Sequence, residues 1–257
     1  LRHAAAVLAM ICLTTGFTGL SGLIWTGAQQ QRVYDDLIRQ TKRESVLLSR
    51  TKNGGENGSV QRTRVSVEEF IDFDVLKKTN PDVVSWITIP GTNIDYPVLQ
   101  GKDNNQYLHK DMEGKDSAAG AIFLDHGDEA DLSSRHNIIY GHHMKNGTMF
   151  GTLTQYADPE YMAAHPEIYI YTPDHIFTYE IFAAVTYDNR HILNSFDFSS
   201  AEGRQAYLDS IQNVRNFSTH FRDDVQVGTE DRILTLSTCN GNDDQRFLLE
   251  AVLKNEQ

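Results

Sequence analysis

The sequence predicts a mostly β domain, an antiparallel sheet or barrel, on three observations. From Val83 onward the chain breaks into short apolar runs that end in Gly, Pro, Asn or Asp, the texture of strands joined by turns. Few helical stretches separate those runs, unlike the alternating strand and helix rhythm of a parallel α/β sheet. One amphipathic pattern precedes the last two runs, so a helix is expected to pack on the sheet late in the chain.

The elements follow in order. Residues 4–25 carry no charge and are mostly Ala, Val, Leu, Ile, Met, Phe, Gly and Thr. As a helix that length spans ~33 Å, enough for a bilayer core. Arg2 precedes the run, and Trp25 ends it as an interfacial anchor would. Residues 1–26 are therefore read as a membrane anchor with the bulk of the chain outside the cell; a cleaved signal peptide, the rival reading, has a shorter apolar core. Residues 27–65 read as a stalk and flexible linker. Val33, Leu37, Ile38 and Val46-Leu47-Leu48 give a modest stripe, and Asn53-Gly54-Gly55-Glu56-Asn57-Gly58-Ser59 has nothing to bury.

The folded domain is placed at residues 66–257. Ser66-Val67-Glu68-Glu69 is a capping box before Phe70, Phe73 and Leu76, and Asn80-Pro81 stops the helix. Strands are expected at 84–89, 94–99, 120–124, 136–141, 167–172, 175–187, 232–238 and 246–253. Residues 149–156 and 158–164 look helical or turn-like. A second box, Ser199-Ser200-Ala201-Glu202, opens a helix whose Tyr207, Leu208, Ile211 and Val214 share a face.

Composition narrows the function. The 257 residues carry a net charge of −12 and no basic cluster, which argues against nucleic acid as a partner. The two cysteines, Cys12 and Cys239, lie too far apart for a disulfide framework. The acidic loop from Asp125 to Asp131 lacks the ligand rhythm of a calcium loop and is expected to be solvated. A metal site from His136, His142, His143 and Cys239 fails on spacing, because adjacent histidines rarely aim at one ion. No metal or cofactor is called for.

The chemistry centres on Ile233-Leu234-Thr235-Leu236-Ser237-Thr238-Cys239, an apolar strand that ends in a lone thiol and then the polar run Asn240-Gly241-Asn242-Asp243-Asp244. Arg246 opens the next strand, so Cys239 and Arg246 face each other at one edge of a sheet. Upstream, Asn137-Ile138-Ile139-Tyr140-Gly141-His142-His143 is another strand that stops at a glycine and an imidazole. A cysteine with a distant histidine is the outline of thiolate catalysis. Spacing alone does not separate His142 from His143. A thiol at a strand end is also compatible with a small buried hydrophobe, and Arg246 with a surface ion pair.

These motifs resemble those of the class B sortases, membrane-tethered cysteine transpeptidases of Gram-positive bacteria. Trp86-Ile87-Thr88-Ile89-Pro90-Gly91-Thr92-Asn93-Ile94-Asp95-Tyr96-Pro97-Val98, Asp103-Asn104-Asn105-Gln106-Tyr107-Leu108 and Gly120-Ala121-Ile122-Phe123-Leu124-Asp125 fit the same family. The resemblance covers roughly residues 66–257. It implies a closed β-barrel with N-terminal helices and a helix inserted before the cysteine strand.

It also implies Cys239 as nucleophile, His142, the imidazole directly after the glycine, as acid and base, and Arg246 as the donor to an oxyanion or substrate carbonyl. Substrate contacts are implied at Asn104, Leu108, Tyr140, Ile192 and Ser237, although Leu108 and Ile192 read as core on composition alone. The implied partners are secreted proteins bearing an NPxTx-like C-terminal sorting signal, and an amine of peptidoglycan or its lipid-linked precursor. Some relatives carry a carboxylate just after the cysteine; here Asn240 stands in that place, so no role for that acid passes to this chain. A hydrolytic cysteine protease would use the same residues, and a non-catalytic adhesin would bury Cys239.

Overall fold

The computed structural model describes residues 71–257 except 217, 240, 242 and 243, together with helical Tyr34 and Asp36. The expected anchor, the stalk and linker apart from Tyr34 and Asp36, and the Ser66 capping box lie outside the described residues. Among the described residues, no helix is long and apolar enough to cross a membrane.

Helix α1 (Phe73–Thr79) is capped by Asp72, whose carboxylate accepts from the Val75 N–H at 2.9 Å. Asn80 ends it, with Phe73 and Leu76 buried. Nine strands follow: β1 (Val83–Thr88), β2 (Asp95–Leu99), β3 (Ile122–Leu124), β4 (His136–Tyr140), β5 (Glu167–Tyr171), β6 (Ile176–Asp188), β7 (His220–Phe221), β8 (Ile233–Cys239) and β9 (Gln245–Glu256). Their order is β5-β1-β2-β3-β4-β8-β9-β6-β7, and β5 also pairs with β6. That extra pairing closes eight strands into a barrel and leaves β7 as an appendage on β6. Closure removes the open edges that an isolated sheet exposes. Two neighbouring pairs are parallel, β2 with β3 and β4 with β8; the other pairings are antiparallel. The 149–156 region is a 3-10 turn at Leu153–Ala157, followed by α2 (Pro159–Ala164).

The late helix is present as α4 (Ala201–Gln212), after the short α3 (Ile192–Ser195). Its cap is Ser200 rather than Ser199: the Ser200 hydroxyl accepts from the Gly203 N–H. Tyr207, Leu208 and Ile211 pack on Ile138, Val185, Ile233, Leu248 and Val252. Val214 lies beyond the helix end but still packs on this cluster.

Side chains alternate faces along a strand, so register decides what α4 covers. Ile233, Thr235, Ser237 and Cys239 of β8 stand opposite Val252, Glu250, Leu248 and Arg246 of β9. These residues share the face that carries α4. The helix covers one end of it and leaves the Cys239 end open.

The acidic loop departs from expectation. Asp125 and Asp128 are buried, whereas Glu129 and Asp131 are exposed. Asp128 accepts the Ile138 N–H at 2.8 Å. Burial, outweighing that bond, raises its pKa to about 8. The loop folds back on β4, so two of its carboxyls are structural rather than solvated.

Candidate active site

The parallel pairing of β4 with β8 builds the site. Tyr140 is level with Ser237, and the Gly141 N–H continues the ladder to the Ser237 carbonyl at 3.2 Å. Thr238 Oγ1 donates to the Gly141 carbonyl at 2.7 Å. At this end β4 stops at Tyr140, two residues before His142, and β8 stops at Cys239, two residues after Ser237. Cys239 pairs directly with Arg246 across β8 and β9. Three residues from distant parts of the chain thus meet at one rim. Cys239 is exposed and its thiol is free.

Local contacts explain the order of this rim. A methyl group at Gly141 would run into Ile122 and the Phe150 ring, so only glycine lets β4 pass there. The Phe150 N–H donates to the His142 carbonyl at 3.0 Å. His142 Nε2 lies 2.8 Å from the Leu108 carbonyl oxygen. A carbonyl only accepts, so Nε2 carries the hydrogen in this contact and Nδ1 is the nitrogen left to exchange a proton. His143 instead has a buried Nδ1 without a hydrogen-bond partner, and its backbone bridges to Met149. Arg246 Nη1 donates to the Gln245 carbonyl at 2.8 Å.

Beside the rim lies a cavity of about 230 Å³. Asn104, Leu108, Tyr140, Ile192 and Ser237 all line it, with Arg246. The five positions expected to touch substrate are therefore brought together with the guanidinium. Phe123 and Leu248 supply apolar floor. Ile192 is both core and lining, since it is 4 % exposed and belongs to the cluster under α4.

The sequence reading missed what stands behind this wall. Asp125 Oδ2 accepts from Asn104 Nδ2 at 2.8 Å and from the Tyr140 hydroxyl at 2.9 Å, and it lies 2.9 Å from His191 Nε2, which in turn lies 3.1 Å from Asn104 Nδ2. Burial, followed by the nearby Asp125 charge, raises the Tyr140 pKa, so the phenol keeps its proton and donates it. The available signal was Ile122-Phe123-Leu124 ending in a carboxylate, one strand away from Tyr140. Among the described residues, no group of three or more His, Cys, Asp or Glu could hold a metal ion.

The comparisons with known proteins bear on the family and the fold. Residues 87–254 match the sortase domain family. The chain is 37 % identical over 212 residues to sortase B of Listeria monocytogenes, covering 82 % of each protein. It is 34 % identical over 167 residues to sortase B of Staphylococcus aureus, covering 65 % of this chain and 67 % of that one. It superposes on a Staphylococcus aureus sortase B–substrate complex with a TM-score of 0.71 at 27 % identity, covering 90 % of this chain and 99 % of that one. Sortase B from B. anthracis in complex with AAEK1 gives a TM-score of 0.70 at 28 % identity, covering 90 % and 100 %. The closed eight-strand barrel and these relatives agree: the chain belongs to the sortase family, as a class B cysteine transpeptidase.

Proposed function

We propose that this transpeptidase is tethered to the cell membrane with its barrel on the outer face, and that it cleaves an NPxTx-like sorting signal on secreted proteins. The cleaved protein is then joined to an amine of peptidoglycan or its lipid-linked precursor. One observation carries the assignment of roles: Cys239 pairs with Arg246 across adjacent strands, at the end of the sheet where β4 leads into Gly141-His142, beside a cavity of about 230 Å³. The uncharged run at residues 4–25 supports the tether.

In the first half-reaction the Cys239 thiolate attacks the carbonyl carbon of the scissile peptide bond. The tetrahedral oxyanion takes hydrogen bonds from Arg246, which keeps its own proton at any working pH. As the C–N bond breaks, His142 gives its Nδ1 proton to the departing amine, and a thioester remains. In the second half the acceptor amine attacks the thioester, His142 takes up its proton, and the thiolate leaves. Nε2–H, donated to the Leu108 carbonyl, holds the ring while Nδ1 cycles.

The test is a fluorogenic NPxTx peptide with and without an added amine. Wild-type protein is expected to cleave it and to form the amine-ligated product, while Cys239→Ala forms neither. Hydrolysis alone in the presence of amine would favour a plain protease, and cleavage surviving Cys239→Ala would remove the nucleophile. Full-length protein is expected in the membrane fraction, and a chain beginning at residue 66 in the soluble one; the reverse would sink the tether.

A further inference from the structure

We infer that Asp125 is the positioning residue of the peptide pocket: its buried carboxylate fixes Asn104, Tyr140 and His191 in the arrangement that receives the sorting signal. The inference rests on the transpeptidase reading above and deepens it.

Asp125 sits immediately after β3 and its side chain is 0 % exposed. It does not line the cavity, but its two donors Asn104 and Tyr140 do, and so does His191 beside them. They come from separate parts of the chain. Asn104 precedes the 3-10 turn Gln106–Leu108, Tyr140 ends β4, and His191 caps α3. One oxygen thus ties three walls together.

The carboxylate is itself held in place. Its Oδ1 accepts the Gly127 N–H at 2.9 Å and lies 3.4 Å from His126 Nδ1. Its backbone N–H donates to the Ile138 carbonyl at 2.8 Å, and its carbonyl accepts Gln100 Nε2 at 2.9 Å. The Asn104 amide is oriented from its other end too, because Oδ1 accepts the His126 N–H at 2.9 Å. A buried charge needs its donors, so losing the acceptor leaves each donor unpaired or turned away. The Tyr140 oxygen, with its proton committed to Asp125, keeps its lone pairs for a peptide N–H or hydroxyl. The hydrogen-bond partners of His142 are elsewhere, at Leu108 and Phe150, so the effect is expected on peptide binding more than on bond breaking.

The test uses the whole domain. Asp125→Asn keeps the size and the Oδ1 acceptor but turns an N–H2 toward the Asn104 and Tyr140 donors. In a Cys239→Ala background, affinity for the NPxTx peptide is expected to fall about tenfold or more. With Cys239 present, KM is expected to rise by a similar factor while kcat falls less than about threefold. Alkylation of Cys239 by iodoacetamide should proceed at the wild-type rate. Tyr140→Phe removes one donor, leaves the carboxylate its others, and should weaken binding by a smaller factor. Combined with Asp125→Asn it should add little, because both act through one contact.

Unchanged affinity in either single variant overturns the inference. So does a loss of kcat, alkylation rate and Tm together, which would mark Asp125 as merely structural. Failure of the wild type to cleave peptide overturns the transpeptidase reading, and the affinities in the Cys239→Ala background still judge Asp125. Should Asp125→Asn not fold, Tyr140→Phe decides alone.

Discussion

His142 has a backbone carbonyl as its hydrogen-bond partner, that of Leu108 at 2.8 Å. A carbonyl fixes a tautomer without adding charge beside the ring, so the polar help for a developing oxyanion falls to Arg246. Arg246→Lys keeps the charge but loses the planar fork of donors. The expected result is a fall in kcat/KM of roughly 10²-fold, the scale of one lost oxyanion donor, with Tm unchanged. Full activity in the lysine variant would leave Arg246 a role in packing only. Cys239 and Arg246 were legible in the sequence because one short turn fixes their register. His142 was separable from His143 only through the family pattern, since two adjacent imidazoles look alike without their surroundings. Asp125 was not legible. It stands in an acidic run whose Glu129 and Asp131 are exposed while Asp128 is buried with it, and only the folding of that loop onto β4 separates the two kinds.

At the scale of elements, the strands β1 to β6, β8 and β9 fell close to the expected residues, because each is a local apolar run with a turn at either end. Their ends shifted where pairing continued past the apolar stretch. β9 runs on to Glu256 because β6 pairs with it as far as Phe177. The helix cap moved from Ser199 to Ser200, since a box motif does not say which of two serines turns its hydroxyl inward. The tip of β4 carries the sharpest element-level prediction. A methyl group at Gly141 has no space between Ile122 and Phe150, so Gly141→Ala is expected to cost about 1–3 kcal/mol by overpacking. It should also displace His142 and lower kcat. Calorimetry and peptide kinetics read the two effects, and an unaltered kcat would detach the strand tip from the chemistry.

At the scale of the whole molecule, buried titratable groups join the inserted helix to the barrel. Tyr207 of α4 donates to Glu250 Oε1 at 2.7 Å, Thr235 donates to Oε2 at 2.8 Å, and His136 Nε2 meets Thr235 Oγ1 at 2.8 Å. Burial raises the Glu250 pKa from 4.5 to about 7, against the pull of its two donors, and lowers that of His136 from 6.5 to about 3. Folded Glu250 holds its proton more tightly than the unfolded chain does. Its contribution to stability is whole below pH 4.5 and is lost as pH rises through about 7. His136 acts in the opposite sense: its contribution is whole above 6.5 and is lost as pH falls toward 3. Glu250→Gln is therefore expected to gain stability relative to wild type as pH rises from 5 to about 7, by at most about 1.4 kcal/mol per pH unit of titration, read as a rising difference in Tm. A difference that does not change with pH would count against this carboxyl as the titrating group. None of this network was readable beforehand, because its members lie as much as 114 positions apart (250 − 136).

Strand order was equally out of reach of local pattern, and it has a chemical consequence. β8 slots between β4 and β9, so the imidazole and the guanidinium acquire their common neighbour only when that strand is inserted. Before that step the β8–β9 turn already sets Arg246 beside Cys239, but the imidazole is missing. Peptide cleavage is therefore expected only from a copy whose β8 has joined β4.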